Sequence, residues 1–270
     1  MAANEKVISE YPDNKRGPLT FVLDVSGSML SEKGRKESPV TFMNNIVRNF
    51  MLRCIRDNDI RGKCEISFIL FADKILLTSG YQALERFDGK YFNKPDDDCG
   101  VYRIYGEQVD GVDRVVQIPE FLESRHDYGT NIGRAMLQAV MQTEERLEEL
   151  NKAESYPAFI ILITDGNPKT AEHKGYWNDQ EAEDEAIKRL LQHTENVKEI
   201  NVEKGTEEYK NNLIVPIVFS IGELGDSKSD PLRAYVKHFS AGYFNLKRMR
   251  RNSVRSLSAT STTTVRHSAL

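Results

Sequence analysis

The sequence reads L-T-F-V-L-D-V-S-G-S-M from Leu19 to Met29, so that an apolar run ends in a group of small polar residues. The first five residues are apolar or β-branched, which is typical of a strand that is buried on both faces. Asp24, Ser26 and Ser28 follow at alternate positions, and such short polar side chains add little to a packed core. This stretch therefore predicts a central strand with three oxygen-bearing side chains just beyond its carboxyl end.

Strands and helices are predicted to alternate along the rest of the chain. Short β-branched runs indicate the strands, and apolar residues that recur three or four positions apart indicate the helices. This order favours an α/β fold of three layers, in which a central, mostly parallel sheet has helices on both faces. The predicted elements are strands at Leu19–Leu23, Glu65–Phe71, Lys74–Leu77, Phe159–Ile163, Leu213–Ile221 and Gly242–Leu246, and helices that begin at Pro39, Ile132, Gln180 and Asp230.

Composition divides the 270 residues into one domain with a polar segment before it and a basic tail after it. The polar segment is residues 1–17, the domain is residues 18–246 and the tail is residues 247–270. The tail has six basic residues, no acidic residue and many Ser and Thr, a composition that cannot bury enough surface to order itself. Within the domain, residues 81–128 show no clear periodicity, and we expect an insertion of short irregular elements there.

Charge, cysteine content and hydropathy argue against several classes of protein. The formal net charge of -4 gives no overall positive field for nucleic acid. The three cysteines, Cys54, Cys64 and Cys99, lack the spacing of a zinc knuckle, and their odd number does not favour a disulfide framework. No apolar segment has the length of a membrane span or the pattern of a signal peptide. These features predict a cytoplasmic protein without a nucleic-acid or membrane partner.

Five oxygen-bearing side chains are predicted to meet at the carboxyl edge of the sheet, where open parallel sheets bind their ligands. Two carboxylates and three hydroxyls, without nitrogen or sulfur, suit a hard divalent cation, Mg²⁺ or Mn²⁺. For any one of these residues alone, a turn or helix cap is the simpler interpretation. The five are Asp24, Ser26 and Ser28 after the first strand, Thr130 in H-D-Y-G-T-N-I-G, and Asp165 in L-I-T-D-G-N-P after a later strand.

The ordered motifs D-V-S-G-S, G-T and T-D-G resemble the metal-ion-dependent adhesion site of von Willebrand factor A (vWA) domains. The resemblance covers the element order from Pro18 to Leu246 and implies the Rossmann-like vWA fold. It also implies that a carboxylate of a protein partner completes the metal's shell, so that the protein is a metal-dependent adaptor and not an enzyme. The implied ligands, with the hydroxyls usually direct and the acids often acting through water, are Asp24, Ser26, Ser28, Thr130 and Asp165.

Among vWA proteins, the chain resembles the stand-alone bacterial domains of the TerY kind. That resemblance implies a role in tellurite resistance, stress response or phage defence, beside a Ser/Thr protein kinase and a PP2C-type phosphatase. The chain departs from many such proteins because it lacks a C-terminal cysteine-rich metal ribbon. Two other vWA roles stay open, a chelatase-type partner of a ring ATPase and a subunit similar to ubiquitin receptors.

Loop residues near the five positions are candidates for contact with the partner. Aromatic side chains in such loops are enriched at binding hot spots, although Trp177 can equally fold back over the following helix. In the tail, Ser253, Ser256 and Ser258 lie beside arginines, where phosphate would change the local charge; a basic segment without a role is the alternative. The rim candidates are Tyr128, Asn131, Asn167, His173, Tyr176 and Trp177.

A metal-dependent hydrolase is the alternative from another class of function. A phosphatase of the haloacid-dehalogenase type also places an Asp after its first strand and binds Mg²⁺. It needs a second acid two residues later, where this chain has Ser26. The sequence also has no G-x-S-x-G, H-E-x-x-H or G-x-x-x-x-G-K-[ST] motif. We therefore assign no catalytic residue.

Overall fold

A computed structural model places the predicted strands in one mostly parallel sheet, with helices on both faces. The predicted α/β fold class is therefore confirmed. The structure describes residues 16–30, 37–57, 60, 62–84, 102–108, 115–121, 129–150, 155–165, 179–202, 214–221 and 243–245.

Within the described residues, the predicted helices and strands lie close to their predicted bounds, and the structure adds a 3-10 helix and three strands that the sequence does not predict. In chain order they are β1 (Gly17–Asp24), a 3-10 helix (Gly27–Leu30), α1 (Pro39–Arg56), β2 (Cys64–Phe71), β3 (Ile75–Thr78), β4 (Gln82–Ala83), β5 (Tyr102–Gln108), β6 (Val115–Phe121), α2 (Ile132–Glu149), β7 (Ala158–Thr164), α3 (Gln180–Val202), β8 (Ile214–Ser220) and β9 (Tyr243–Asn245).

The main sheet has the strand order β3-β2-β1-β7-β8-β9, and β4 also pairs with β2. Strands β1, β2, β7, β8 and β9 are parallel, whereas β3 and β4 run antiparallel to β2. The chain leaves β1 toward one edge through α1 and leaves β7 toward the other edge through α3. Because such crossovers are right-handed, the two helices lie on opposite faces. The pair β1 and β7 therefore flanks the point where open sheets bind ligands.

Strand β1 sends its side chains alternately into two apolar layers. Phe21 and Leu23 pack toward α1, whereas Val22 packs toward α2 and α3, and each of the three is almost fully buried. The rings of Phe21 and Phe68 stack with centroids 5.5 Å apart, and Phe50 of α1 meets Phe21 edge-on at 5.6 Å. Burial on both faces explains why the strand is apolar along most of its length.

Helix α1 begins next to the carboxyl edge of the sheet, as its sequence predicts. Ser38 is its N-cap and accepts a hydrogen bond from the Thr41 amide at 3.3 Å, and Pro39 is the first helical residue. The helix packs against the 3-10 helix Gly27–Leu30, which carries Ser28. The start of α1 therefore supports the loop that follows β1.

The expectation of only short irregular elements in residues 81–128 is wrong for the described part of that segment. Strands β5 and β6 form an antiparallel pair of their own, in register from Tyr102–Phe121 to Gln108–Val115. Phe121, at the end of β6, is fully buried with its ring 5.0 Å from that of Phe68. The Asn44 amide of α1 donates to the Phe121 carbonyl at 2.7 Å and accepts from its N–H at 2.8 Å. The pair is thus anchored to α1 by hydrogen bonds and to β2 by the ring of Phe121, although it is not a part of the main sheet.

A buried ion pair lies at the amino end of β2, away from the carboxyl edge. Both Glu65 oxygens accept hydrogen bonds from Arg146, at 2.7 and 2.8 Å, and Arg16 lies 3.9 Å from the same carboxylate. Burial by itself lowers the pKa of Arg146, but its bonds to Glu65 outweigh this and raise the pKa overall. Arg146 also pairs with Glu149, whose side chain is 57% exposed. One arginine therefore joins a buried carboxylate and an exposed one.

The cysteines within the described residues behave as core residues. Cys54 is buried in α1, and Cys64 is half-buried and packs against the same apolar layer. Burial is the main cause that raises the pKa of Cys54 to about 12, so its thiol stays protonated at neutral pH. Cys99, the predicted helix at Asp230, and the segments 1–15 and 247–270 lie outside the described residues. None of the described helices is long and apolar enough to cross a membrane.

Candidate metal centre

Three separate loops meet at the carboxyl edge, between the ends of β1 and β7. Because β1 and β7 are parallel neighbours, Asp24 at the end of β1 lies close to Thr164 at the end of β7 and to Asp165 just after it. The third loop precedes α2 and is held to the sheet by a hydrogen bond of 2.6 Å from the Asn131 amide to the Ala72 carbonyl. The edge therefore gathers residues that lie more than a hundred positions apart.

The structure brings all five predicted ligands into one network of hydrogen bonds. The Ser26 amide donates to Asp24 Oδ1 at 2.9 Å, and the Ser26 and Ser28 hydroxyls are bonded at 3.0 Å. Ser28 donates to Asp165 Oδ1 at 3.1 Å. Thr130 donates to Ser26 Oγ at 3.2 Å. Each of the five side chains thus lies one hydrogen bond from another member of the set.

The carboxylates of Asp24 and Asp165 make this network electrostatically unfavourable without a cation. Asp24 is fully buried, and Asp165 is half-buried. Burial, and then the charge of Asp165, raise the pKa of Asp24 from 3.8 to about 7, although hydrogen bonds from Ser26 and Thr164 act in the opposite direction. A cation at this position would favour the ionised form of both carboxylates.

The donor set fits a hard divalent cation. Carboxylate and hydroxyl oxygens are the ligands that Mg²⁺ and Mn²⁺ prefer, and Mg²⁺ commonly keeps several waters. Among the described residues, no group of three or more His, Cys, Asp and Glu side chains is placed to hold a metal. A metal at this edge would therefore depend on the hydroxyls of Ser26, Ser28 and Thr130 as well as on the two acids.

Thr164 belongs to the network, although the sequence analysis does not assign it a role. Its hydroxyl donates to Asp24 Oδ2 at 2.5 Å, and both residues are fully buried. The sequence feature that points to Thr164 is its position, because it directly precedes Asp165 and ends the strand beside β1. A polar residue at the buried end of a strand needs a hydrogen-bond partner, and here that partner is Asp24.

Asn131, one of the predicted rim residues, is buried beside Thr130. Its side-chain oxygen accepts hydrogen bonds from the amides of Arg134 and Asp179, each at 3.2 Å. The first bond caps α2, and the second holds Asp179, the residue before α3, against the same side-chain oxygen. The Asn131 side chain therefore binds backbone amides within this chain, and its contact with a partner stays a prediction.

The starts of α2 and α3 lie unusually close together at Gly133. A side chain at this position would place a Cβ 2.3 Å from the Asp179 carbonyl oxygen, so only glycine fits without a shift of the backbone. Arg134 also donates to the Asp179 carboxylate at 2.8 Å. Hydrogen bonds from the Ala182 amide and from Arg134 lower the pKa of Asp179. This junction fixes Asp179, the residue before α3, against the start of α2.

The remaining candidates from the sequence lie outside the described residues. They are the rim residues Tyr128, Asn167, His173, Tyr176 and Trp177 and the tail serines Ser253, Ser256 and Ser258.

Comparisons with known proteins give remote similarity of structure only. No family model matches the sequence, and no curated protein matches it. The pilus adhesin SpaC from Lactobacillus rhamnosus GG is 11% identical over 85% of this chain, with a TM-score of 0.47. The PilB minor pilin from Streptococcus sanguinis is 13% identical over 85% of this chain, with a TM-score of 0.38. The adhesive tip pilin from Group B Streptococcus agalactiae is 11% identical over 86% of this chain, with a TM-score of 0.39.

The chain spans less than two thirds of the length of the first two of these proteins. It spans 28% of SpaC and 57% of PilB, whereas it spans 95% of the tip-pilin structure. With identities and TM-scores this low, the function that we propose rests on the residues of this chain alone.

Proposed function

We propose that this protein is a metal-dependent binding module, which holds Mg²⁺ or Mn²⁺ at the carboxyl edge of its sheet and captures a carboxylate of a protein partner. The observation that carries the proposal is the hydrogen-bonded network of five oxygen-bearing side chains from three separate loops. The resemblance of the same residues to the vWA adhesion site supports it. In this proposal Asp24, Ser26, Ser28, Thr130 and Asp165 hold the metal.

The chemistry of the donor set favours binding over catalysis. Three of the five donors are neutral hydroxyls, so they offset the charge of a divalent cation only in part. The ion would stay electrophilic and would attract an anionic ligand from outside the chain. Hydrolysis needs in addition a base or nucleophile in reach of the substrate, and position 26 offers a serine where a phosphatase of the type considered above has an acid.

Several finer assignments stay predictions. The cytoplasmic location is predicted from cysteine content and hydropathy. The setting in stress response, tellurite resistance or phage defence and the kinase and phosphatase partners are implied by the resemblance to TerY-like proteins. The choice between Mg²⁺ and Mn²⁺ also stays open, because both ions accept this set of oxygen ligands.

Selection of peptides on the Mg²⁺-loaded protein would test the proposed function. Random peptides displayed on phage are selected in Mg²⁺ and eluted with EDTA, and the enriched peptides are then synthesised. We expect each of them to contain an Asp or Glu whose replacement by Asn or Gln abolishes binding. The control is the Asp165→Asn variant, which removes one of the two carboxylates and should capture none of these peptides.

Two results would contradict the proposal. Enriched peptides that bind equally well in EDTA would show that the ion does not carry the interaction. Metal-dependent turnover of a phosphoester such as p-nitrophenyl phosphate, lost in Asp165→Asn, would favour the hydrolase alternative instead.

A further inference from the structure

The Asp24 carboxylate is held by the protein on both of its oxygens. The Ser26 amide donates to Oδ1 at 2.9 Å, and the Thr164 hydroxyl donates to Oδ2 at 2.5 Å. The first bond is local, because Ser26 lies two residues away on the same loop. The second bond crosses from β7 to β1 and joins residues that are 140 positions apart. It is therefore the contact that fixes the carboxylate relative to the strand that leads to Asp165.

The placement of Thr164 couples the two acids of the site. Thr164 directly precedes Asp165, so one short stretch both donates to Asp24 and presents the second carboxylate. Asp165 in turn accepts a hydrogen bond from Ser28, which belongs to the same loop as Ser26. The loop after β1 and the end of β7 are thus joined by two hydrogen bonds in opposite directions. Loss of the Thr164 hydroxyl would remove the fully buried one of these two hydrogen bonds.

We propose that Thr164 is a positioning residue of the metal centre, which orients the Asp24 carboxylate without itself binding the ion. This inference rests on the proposed function, because it assumes that the site binds a divalent cation. Groups that hydrogen-bond to metal ligands fix their orientation, and their removal typically weakens metal binding about 10- to 100-fold. Thr164 makes such a contact with a ligand that is fully buried.

The test is calorimetric titration of MgCl₂ into the full chain after treatment with EDTA. We expect Thr164→Val to weaken Mg²⁺ binding by at least about tenfold, because it keeps the shape and loses the hydroxyl. Thr164→Ser keeps the hydroxyl and should bind within about threefold of the wild type. Thr164→Ala serves as a second variant without the hydroxyl if the valine variant does not fold, and circular dichroism in EDTA checks folding.

Thr143→Val is the matched control for a buried threonine away from the site. Thr143 is as buried as Thr164, donates to the Ala139 carbonyl at 2.7 Å and contacts Thr20 in β1. Thr20 lies four residues before Asp24, or about 13 Å along the strand. Thr143→Val should lower the thermal stability while leaving the Mg²⁺ affinity unchanged.

The outcomes separate this inference from the proposed function. If the wild type binds Mg²⁺ and the variants without the Thr164 hydroxyl bind it equally well, the positioning role is wrong and the proposed function stands. An equal loss of affinity in Thr143→Val would also overturn the positioning role, because the effect would then follow from stability alone. If the wild type binds neither Mg²⁺ nor Mn²⁺, both proposals fail.

Discussion

Replacing Asp24 with asparagine is expected to abolish Mg²⁺ binding and, in EDTA at pH 8, to raise the thermal stability of the protein. The two effects have one cause. Without a cation, Asp24 is a fully buried carboxylate next to a second one, and burial together with the charge of Asp165 raises its pKa to about 7. Asparagine keeps the shape and an oxygen for the Ser26 amide but removes the buried charge. Calorimetric titration and thermal unfolding with and without Mg²⁺ measure the two effects.

The stability of the metal-free wild type should also depend on pH in a defined direction. Between the ordinary pKa of 3.8 and the folded value of about 7, the folded protein holds a proton on Asp24 that the unfolded chain has lost. The contribution of Asp24 to stability is therefore retained at low pH and is lost as the pH rises from about 4 to about 7. A pKa difference of this size corresponds to about 4 kcal/mol in the free energy of unfolding. In saturating Mg²⁺ this loss should be reversed, because the cation stabilises the ionised carboxylate.

Asp184→Asn is the control for the loss of one negative charge. Asp184 lies exposed on α3, where it accepts a hydrogen bond from Gln180. Its replacement should leave the Mg²⁺ affinity unchanged. An Asp24→Asn protein that is less stable than the wild type in EDTA at pH 8 would contradict our account of the site.

Replacing Glu65 with glutamine is expected to lower the free energy of unfolding by about 3 kcal/mol or more. The glutamine leaves Arg146 and the largely buried Arg16 beside a neutral amide, so two charges lose their common partner. A buried charge without its partner is far less stable than the intact pair. Urea unfolding monitored by circular dichroism gives the difference.

Glu149→Gln is the matched control, because it removes the other carboxylate that binds the same arginine. Glu149 is more than half exposed, and an exposed ion pair contributes only about 0–1 kcal/mol. Equal destabilisation by the two substitutions would show that burial does not decide the strength of these pairs. Neither variant should alter Mg²⁺ affinity at 25 °C, since Glu65 lies at the amino end of β2, opposite the edge that holds Asp24.

The main sheet and the five-residue network could both be predicted from the sequence. Strand β1 is apolar through Leu23 because both of its faces are buried, and it must end where Asp24 appears. Parallel order then places Asp165 beside Asp24, since both follow the carboxyl ends of neighbouring strands. The sequence also predicts the N-cap of α1, because Ser38 and Pro39 form a local signal that needs no tertiary contact.

The parts that could not be predicted depend on contacts between distant segments. The β5 and β6 pair is not a part of the main sheet. It is held by the Asn44 amide, which donates to and accepts from the backbone of Phe121, and by the Phe121 ring, which packs against Phe68. An asparagine inside a helix gives no sign of such a partner in the sequence. Thr164 gives no sign of its partner for the same reason, because a threonine is ordinary in a strand and Asp24 lies 140 positions away.

The most direct test of the central claim is a crystal of the protein soaked in MnCl₂ and measured at the manganese absorption edge. We predict one strong anomalous peak at the carboxyl edge of the sheet, enclosed by the side chains of Asp24, Ser26, Ser28, Thr130 and Asp165. Density that shows the five side chains bonded to one another, with no anomalous peak between them at saturating Mn²⁺, would contradict the account.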